Sequence, residues 1–535
     1  MEKICREYGL LRNDDGVINV PFLIKGKLVV PPEISRGQIE AAFGAADGGS
    51  VYTKLPEAQI IREPMIDRQT MKYTGDYVYQ VMPPLNAAEL IEGDIDRLVQ
   101  GPYALSVEDS LDYLESILSA LTQNDKLVAQ VRELCRLTTE YSDALLDGWF
   151  ASLRLAFTRE AARQMVDNEL SLWGMCGRDF LNGWVEVPSR VSPGLLPPFA
   201  SHLFGQHTVT HRPPAKTLIR AMPTRQLHIT AGNALEIPII SILRAVLTKS
   251  AAAIKLPYGA TLTGALFSLA AFAVAPDHPL TQHLSMVYWQ GGDESIESIL
   301  FKPNAFDRIV VWGNPDTVAS VQSRALFTRI ITLNPRYGVS LIGREAFSGK
   351  ALPEAAVRAS TDVMIYNQKA CTSSLVHYVE ATEEQADEYA EMLRQALDKW
   401  EKEFPNFVPP PARGQLKRMK HGRYAHARWH INSREGEFTS GVVVVPGEFD
   451  VMEHPMCRLA VVRPMDKLES VLKYLHQSVS TAGIYPEERR LALRDRVLAR
   501  GVSNVLPLGQ CERIFAAMPH DGMIVLSQLV DWKNA

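Results

Sequence analysis

The apolar positions between residues 227 and 325 alternate between two patterns. Short continuous apolar runs, typical of buried strands, are followed by segments in which apolar residues recur every three or four positions, as on one face of a helix. Four such pairs in a row predict a parallel sheet wound with helices, an architecture that binds nucleotides. The predicted strands are 227–231, 252–256, 284–289 and 309–312, and the predicted helices are 237–247, 262–274, 295–301 and 317–325.

The flanking regions carry different patterns. Residues 1–100 contain short apolar runs broken by Pro and Gly, which favour hairpins, whereas leucines at helical spacing over 107–157 predict core-facing helices. A stretch rich in Pro, Ser and His at 187–214 is typical of a connector. We also predict an amphipathic helix at 383–404 and a strand in the tail at 523–530.

Composition excludes several classes of protein. The 535 residues are enough for two or three domains, and 46% hydrophobic with 22% charged residues is ordinary for a soluble globular protein. A formal charge of −5 offers no basic excess for nucleic acid. The charged N-terminus lacks a signal core. The longest apolar run, 261–275, is shorter than the roughly 18 residues that suggest a membrane span, so we interpret it as a buried helix.

Cysteine and histidine spacing argues against a metal site. Six cysteines are widely spaced and form no CxxC pair, which indicates reduced thiols in a cytoplasmic protein. His202, His207 and His211 form a series, but Pro and Gly surround it and no carboxylate accompanies it. The sequence therefore predicts no bound metal.

One cysteine, Cys371, has an unusual setting. It lies in a short polar loop between two apolar, strand-like runs of the segment 361–380. Substrate can reach a thiol in such a loop, and the nearby Lys369 would favour its thiolate. Taken alone, the pattern also fits an inert structural cysteine, so a nucleophile needs support from the rest of the chain.

Polar residues and glycines follow the predicted strands of the wound region. Asn233 comes after the first strand, in place of a GxGxxG fingerprint, and the alternative is that it caps a helix. Lys255 ends the second strand, where such sheets bind ligands, although a solvated strand end is the alternative. Gly291-Gly292 and Gly313-Asn314 follow the next two strands. They let the phosphates or ribose of a cofactor approach the backbone, or they only make turns. The chain has no GxSxG elbow and no P-loop.

Taken in order, these segments resemble the aldehyde dehydrogenase superfamily, and most closely its LuxC-type acyl-CoA reductases, the fatty acyl reductases of bacterial bioluminescence. The resemblance covers roughly residues 220 to 530, and the first hundred residues match poorly. The segments that carry it are ITAGNALEIPIISILRAVLTKSAAAIK (229–255), MVYWQGGDES (286–295), VVWGNPD (310–316), YNQKAC (366–371) and HDGM (520–523).

The resemblance implies an α/β fold of the aldehyde dehydrogenase type, with a Rossmann-type cofactor domain, an α/β catalytic domain and an extra N-terminal strand-rich segment. We expect the strand-rich segment at 1–100, a helical lead-in with the NADP-binding domain at 101–334, and the catalytic domain at 335–515. The tail, 516–535, is a possible oligomerisation strand. A homo-oligomer is expected by analogy only.

The resemblance also implies a role for each matched position. Cys371 would be the nucleophile that takes the acyl group as a thioester, and the Asn233 amide with the Cys371 backbone N–H would form the oxyanion hole. Lys255 would hold the ribose or phosphate of the adenosine half of the cofactor, and Gly313 and Asn314 would lie near its pyrophosphate. Glu453 would take the place of the carboxylate that binds the nicotinamide ribose.

Two departures from the superfamily pattern refine this hypothesis. Hydrolytic members carry a water-activating Glu some thirty residues before the nucleophile. Residues 335–340 hold no carboxylate, and Glu345 lies in the wrong place, so we expect no basic group poised to admit water to the thioester. NAD-selective members carry a Glu three residues after the strand-end Lys. Here that residue is Tyr258, which does not repel a 2′-phosphate, so we predict NADPH.

These expectations favour a reductase that converts an acyl thioester, delivered by CoA, an acyl carrier or a partner acyl-protein synthetase, to the aldehyde. Three alternatives stay open: a dehydrogenase running in the oxidative direction, a redox-free acyltransferase that uses Cys371 as a carrier thiol, and an inactive scaffold. The acyl chain is expected to be long and aliphatic by resemblance alone, and an aryl or polyketide-derived acyl group is the alternative.

Overall fold

The computed structural model describes residues 1–45, 50–156, 158–188, 202–203, 216–512 and 518–535. The predicted connector at 187–214, with His207 and His211, lies almost wholly outside the described residues. In the described part of the chain, no helix is both long and apolar enough to cross a membrane.

The wound region forms a sheet of seven strands, which we call the wound sheet. Five strands run parallel and carry the predicted strand–helix pairs, and an N-terminal hairpin adds to the strand Leu284–Val287 in antiparallel register. Their spatial order is Arg329–Leu333, Arg308–Trp312, Arg225–Ile229, Ala251–Lys255, Leu284–Val287, Phe22–Ile24 and Lys27–Val29. The connecting helices are Ile237–Leu247, Thr261–Val274, Glu294–Leu300 and Pro315–Arg324, so every predicted boundary in this region is confirmed to within two residues.

A second sheet of seven strands follows. It is parallel except for the hairpin at one edge. Its order is Arg428–Arg434, Glu437–Val444, Leu459–Met465, Ser374–Glu380, Tyr337–Ile342, Val479–Tyr485 and Asn504–Pro507. The helices around it are Ala351–Met364, Glu383–Glu403, Pro410–His421 and Glu487–Leu498. The predicted helix at 383–404 is confirmed, and Thr382 and Gln385 close its first turn with a capping box.

Two smaller sheets and further helices complete the fold. A four-stranded sheet contains Val17–Asn19, Lys72–Met82, Ala58–Asp67 and Tyr52–Leu55, and a three-stranded sheet contains Asp531–Asn534, Lys216–Met222 and Val185–Pro188. The helices predicted over 107–157 are present. The remaining helices are Glu2–Glu7, Arg36–Ala45, Ile95–Gln100, Val107–Gln123, Asp125–Thr138, Asp143–Ala156, Arg159–Glu169, Gly177–Asn182, Pro279–Gln282 and Val525–Leu529.

Two predicted strands are wrong. The tail segment 523–530 contains the helix Val525–Leu529, which buries Val525, Leu526 and Leu529 against the core that also holds Val166. The strand of the tail lies further on, at Asp531–Asn534. The apolar run before Cys371 belongs to the helix Ala351–Met364, because its alanines and Val363 recur at helical spacing and pack on the second sheet.

The segment before Cys371 makes an unusual turn. Tyr366, Asn367 and Gln368 all have left-handed backbones, with φ of 44°, 55° and 64°. A second left-handed turn, 456–458, faces it, with φ of 60°, 57° and 62°. Left-handed geometry at a residue other than glycine costs about 1–2 kcal/mol, so contacts elsewhere must hold these two segments, which we call the paired turns.

Arg458 supplies those contacts. Its fully buried guanidinium donates from Nε and Nη2 to Asn367 Oδ1 at 2.9 and 2.7 Å, and Nη1 lies 3.0 Å from Glu401 Oε2. Gln368 adds a second tie, because its Oε1 accepts from the Leu459 N–H at 2.9 Å and its Nε2 donates to the Leu459 carbonyl at 2.8 Å. The paired turns therefore fix the loop that carries Cys371.

We expect Asn367→Gly to destabilise the protein although glycine tolerates the left-handed backbone. The change removes the acceptor of two Arg458 donors, and a hydrogen bond to a charged group is worth about 1.5–3 kcal/mol of unfolding free energy. Urea denaturation measures the loss. Asn304, also left-handed (φ 66°) but exposed, is the matched control, and Asn304→Gly should change stability by about 0.5 kcal/mol or less. Equal stability of the two variants would show that the tie is unimportant.

Candidate functional site

Six of the predicted site residues line one cavity at the carboxyl ends of the wound-sheet strands. This strand-end cavity has a volume of about 630 Å³. The carboxyl ends of parallel strands meet at one edge, so residues far apart in the sequence converge there. The six are Lys255, Tyr258, Gly291, Gly292, Gly313 and Asn314.

Lys255 faces the strand-end cavity as a half-buried ammonium. Its Nζ lies 5.6 and 5.3 Å from the ring centroids of Tyr288 and Trp289, and burial lowers its pKa to about 8. Among the described residues, no carboxylate lies within 4.0 Å of this nitrogen. An anion bound in the cavity would find Lys255 available.

The backbone of the turn Gly291-Gly292 is accessible from the strand-end cavity. Gly292 has a left-handed φ of 85°, and a side chain on Gly291 or Gly292 would meet nothing within 4 Å. Gly232 is different, because a Cβ there would lie 2.0 Å from the Tyr258 carbonyl oxygen. Backbone at 291–292 can therefore be approached by a ligand, and Gly232 is required by close packing.

The two asparagines of this region have different tasks. Asn314 caps the helix Pro315–Arg324, because its Oδ1 accepts from the Thr317 N–H at 2.8 Å. Asn233 caps no helix. Its Nδ2 donates to the Lys369 carbonyl at 3.0 Å, and its own carbonyl accepts from the Tyr141 hydroxyl at 2.6 Å. The helix-cap alternative considered for Asn233 is therefore excluded, and one N–H of its amide remains available.

Cys371 lines a second cavity of about 480 Å³, the thiol cavity. Ala231, Gly232, Trp312, Gly313 and Asn314 line both cavities, so the two adjoin along a shared wall. Asn233 is also part of the thiol cavity, as are Arg336, Met456, His520 and Asp521. The paired turns and the wound sheet together bring Cys371 and Asn233 to one space.

Burial raises the pKa of the Cys371 thiol to about 11, and the negative charge of Asp521 acts in the same direction. Arg336 opposes both effects. The expected help from Lys369 is wrong, because its ammonium pairs with Glu140, just after the helix Asp125–Thr138. The cation that lowers the pKa of the thiol is Arg336, which is distant from Cys371 in sequence.

Asp521 corrects the expectation that no carboxylate faces Cys371. Residues 335–340 hold none, but Arg336 in that segment lies with its Nε 3.4 Å from Asp521 Oδ1 and brings the tail to the thiol cavity. The HDGM segment (520–523) carries part of the resemblance, but the resemblance implies no role for it. Its apolar and polar pattern contains no signal that it would meet Cys371.

Glu453 lies apart from both cavities. Its carboxylate is 4.0 Å from Arg423 Nη1, and its backbone carbonyl accepts from Gln415 Nε2 at 2.9 Å. Met456, three residues later, is the part of this segment that reaches the thiol cavity.

All six cysteines are free thiols.

Comparison with known proteins identifies the family of the chain. Residues 210–532 match the family model described as acyl-CoA reductase (LuxC). A long-chain acyl-protein thioester reductase of Photorhabdus laumondii is 28% identical over 364 residues, which cover 65% of this chain and 72% of the relative. The Vibrio harveyi protein of the same name is 24% identical, covering 59% of this chain and 65% of the relative.

Solved aldehyde dehydrogenases share the fold. Lactaldehyde dehydrogenase of Escherichia coli superposes with a TM-score of 0.66 at 13% identity, covering 96% of this chain and 98% of that one. NADP-dependent glyceraldehyde-3-phosphate dehydrogenase of Bacillus halodurans gives 0.65 at 13%, covering 97% and 99%. The predicted α/β fold of the aldehyde dehydrogenase type is thus confirmed. With its family match spanning more than half of its length, the chain belongs to the LuxC family of acyl-CoA reductases.

Proposed function

We propose that this protein reduces an acyl thioester to the aldehyde through an acyl group held on Cys371, with NADPH as the reductant. The observation that carries the proposal is the wall shared by the two cavities. The thiol cavity would hold the acyl group on Cys371. The strand-end cavity, with its glycines and the half-buried Lys255 ammonium, would hold a dinucleotide in contact with that group. Relatives of the chain are named long-chain acyl-protein thioester reductases, which makes a long acyl chain on a carrier thiol the favoured substrate class.

In this proposal Cys371 attacks the thioester carbon, and the carrier thiol leaves. The remaining N–H of the Asn233 amide and the Cys371 backbone N–H would bind the oxygen that becomes negative, where one donor is worth about 2.7–4 kcal/mol. When bound, NADPH would supply a hydride to the acyl carbon, and the carbon–sulfur bond to Cys371 would break as the aldehyde leaves and the thiol is restored. Residues of the paired turns keep the thiol in place through both half-reactions.

The strand-end cavity suits a phosphorylated cofactor. Lys255 is half-buried and, in the described part of the chain, has no carboxylate in contact, and Tyr258 offers no negative charge. Glu297 also lines the cavity, but it is paired with Arg324 and accepts from the Gly292 N–H at 3.1 Å. Lys255 is the one cation among the residues that line this cavity, and it favours a 2′-phosphate because a charge-assisted contact is stronger than a neutral one.

Asp521 favours a second candidate, a dehydrogenase that forms the free acid. A carboxylate in the thiol cavity can activate water against an acyl group, as the superfamily Glu does. The ion pair with Arg336 opposes that role, because the positive charge makes the Asp521 carboxylate a weaker base. Product analysis separates the candidates, since an acid-forming enzyme converts aldehyde and NAD to acid without a carrier thiol.

Intact-protein mass spectrometry after incubation with a panel of acyl-CoAs should show one acyl adduct per chain. Cys371→Ser should lose the adduct, because a hydroxyl is a far weaker nucleophile than a thiolate. Cys176→Ser is the matched control, because Cys176 is a half-buried thiol bound to Asp167 and should leave the adduct intact. Adduct formation without any oxidation of NADPH would instead identify an acyltransferase.

Asn233→Ala should lower kcat by about 10²–10³, the usual effect of removing one oxyanion-hole donor. The Kd for NADPH, measured by fluorescence titration, should stay nearly constant, since Asn233 lines only the thiol cavity. A kcat within threefold of the native value, or a large rise in cofactor Kd, would contradict the role assigned to this amide.

Tyr258→Glu should shift cofactor preference toward NADH. The new carboxylate would repel a 2′-phosphate, and an effect of about 1.4 kcal/mol changes the NADPH:NADH ratio of kcat/KM by tenfold. Steady-state kinetics with both cofactors measures the ratio. Tyr258→Phe removes only the hydroxyl, which donates to the Arg62 carbonyl at 3.3 Å, and should leave the ratio unchanged. An unchanged ratio in Tyr258→Glu would overturn the assignment of the phosphate to this wall.

A further inference from the structure

The tail of the chain places one carboxylate in the thiol cavity. His520 and Met523 exchange backbone hydrogen bonds of 2.9 Å in both directions, and the tight turn between them carries Asp521 with a left-handed φ of 52°. The Asp521 side chain is only 7% exposed and lines the thiol cavity with Cys371. Backbone hydrogen bonds on either side of Asp521 therefore fix the turn from which its carboxylate enters the cavity.

Arg336 holds both this turn and its carboxylate. The guanidinium donates from Nη1 to Ser503 Oγ at 2.9 Å and from Nη2 to the Asp521 carbonyl at 3.4 Å, while Nε faces Asp521 Oδ1 at 3.4 Å. Burial raises the pKa of Asp521, and the charges of Arg336 and Arg244 oppose that rise. The two arginines therefore favour the ionised carboxylate, whereas burial favours its protonated form, so Asp521 is suited to accept a proton and to release it again.

Other ionisable groups near the thiol have competing partners. His520 packs edge-on against Trp312 at 5.1 Å, and Arg244 Nη2 lies 3.5 Å from its Nδ1. Burial and the two arginines lower the His520 pKa to about 3, so it is a poor proton acceptor. Glu236 accepts from Trp149 Nε1 at 3.1 Å and from Tyr366, and it is not among the residues that line the thiol cavity.

Acylation of Cys371 requires a proton acceptor. With its pKa raised to about 11, the thiol carries its proton at neutral pH, whereas sulfur attacks as the thiolate. A carrier thiol that leaves as a thiolate needs a proton at the same stage. One group that accepts the first proton and donates it to the second sulfur satisfies both needs.

We propose that Asp521 is the proton-transfer group of the acylation half-reaction. The Asp521 carboxylate takes the proton from Cys371 Sγ as the new carbon–sulfur bond forms. The carboxyl group then gives that proton to the carrier sulfur as the old carbon–sulfur bond breaks, so that charge and protons balance and Asp521 ends as a carboxylate. The assignment rests on the proposed function, because it presumes an acyl group on Cys371.

The test compares two reactions of Cys371 in Asp521→Asn, an isosteric change that keeps the backbone contact to Arg336. Enzyme acylation by a long-chain acyl-CoA should slow by about 10²–10⁴, the usual range for loss of a positioned acid–base group. Alkylation by iodoacetamide at pH 7 should become faster, since removing the negative charge lowers the pKa of the thiol. Stopped-flow release of CoA and mass spectrometry of the alkylated protein measure the two rates.

The opposite signs make the test decisive. If Asp521 acts only as a nearby charge, both reactions become faster, and if the turn only supports the fold, both become slower; either result overturns the proposal. Asp521→Glu should restore part of the acylation rate, because it returns a carboxylate to the same turn.

Glu236→Gln is the matched control. Its negative charge also raises the Cys371 pKa, but its carboxylate is held by Trp149 and Tyr366, so the variant should speed alkylation without slowing acylation. Failure of the inference is distinguishable from failure of the proposed function. If native protein forms no acyl adduct, the function is wrong, whereas an adduct with no split between the two rates in Asp521→Asn overturns only the role of Asp521.

Discussion

The buried contact between Arg458 and Asn367 is the constraint on which the site depends. It holds two left-handed turns together at residues that are not glycine, and it does so with a fully buried charge that Glu401 also contacts. Cys371 follows one of these turns, and Met456 belongs to the other. Without this contact, the favourable geometry for both segments would be extended or helical, and the thiol would lose its place opposite the wound sheet.

The site is a meeting point of strand ends and loops from distant parts of the chain. The wound sheet contributes residues 231–232 and 312–314, which form the wall between the two cavities. The second sheet contributes Cys371 through the loop before Ser374–Glu380 and Arg336 just before Tyr337–Ile342. The shared wall contains Ala231, Gly232 and Gly313 beside the larger Asn314 and Trp312. Under the proposed function, the acyl group and the cofactor would meet at this wall, as direct transfer between them demands.

Local patterns explain which parts the sequence could predict. The boundaries of the wound region were predictable to within two residues. Each strand and helix there is bounded by turn residues, and its apolar residues follow one spacing from end to end. The residues at its strand ends were predictable for the same reason, since parallel strands have a common ligand-binding edge. The tail helix Val525–Leu529 was missed because five residues are too few to distinguish a helical from a strand-like apolar run, and packing against Val166 decided the outcome.

Contacts across long sequence separations explain the rest. Lys369 could not be matched with Glu140, nor Asp521 with Cys371, because nothing in the local pattern of either segment depends on its partner. The placement of Asp521 has a consequence for biosynthesis. A ribosome completes the thiol loop long before the turn at 519–522, and the strand Asp531–Asn534 that secures the tail in the three-stranded sheet comes later still. If Asp521 has the proposed role, a nascent chain would carry the sulfur before its proton acceptor exists, and it would become competent for acyl transfer only when the tail has docked.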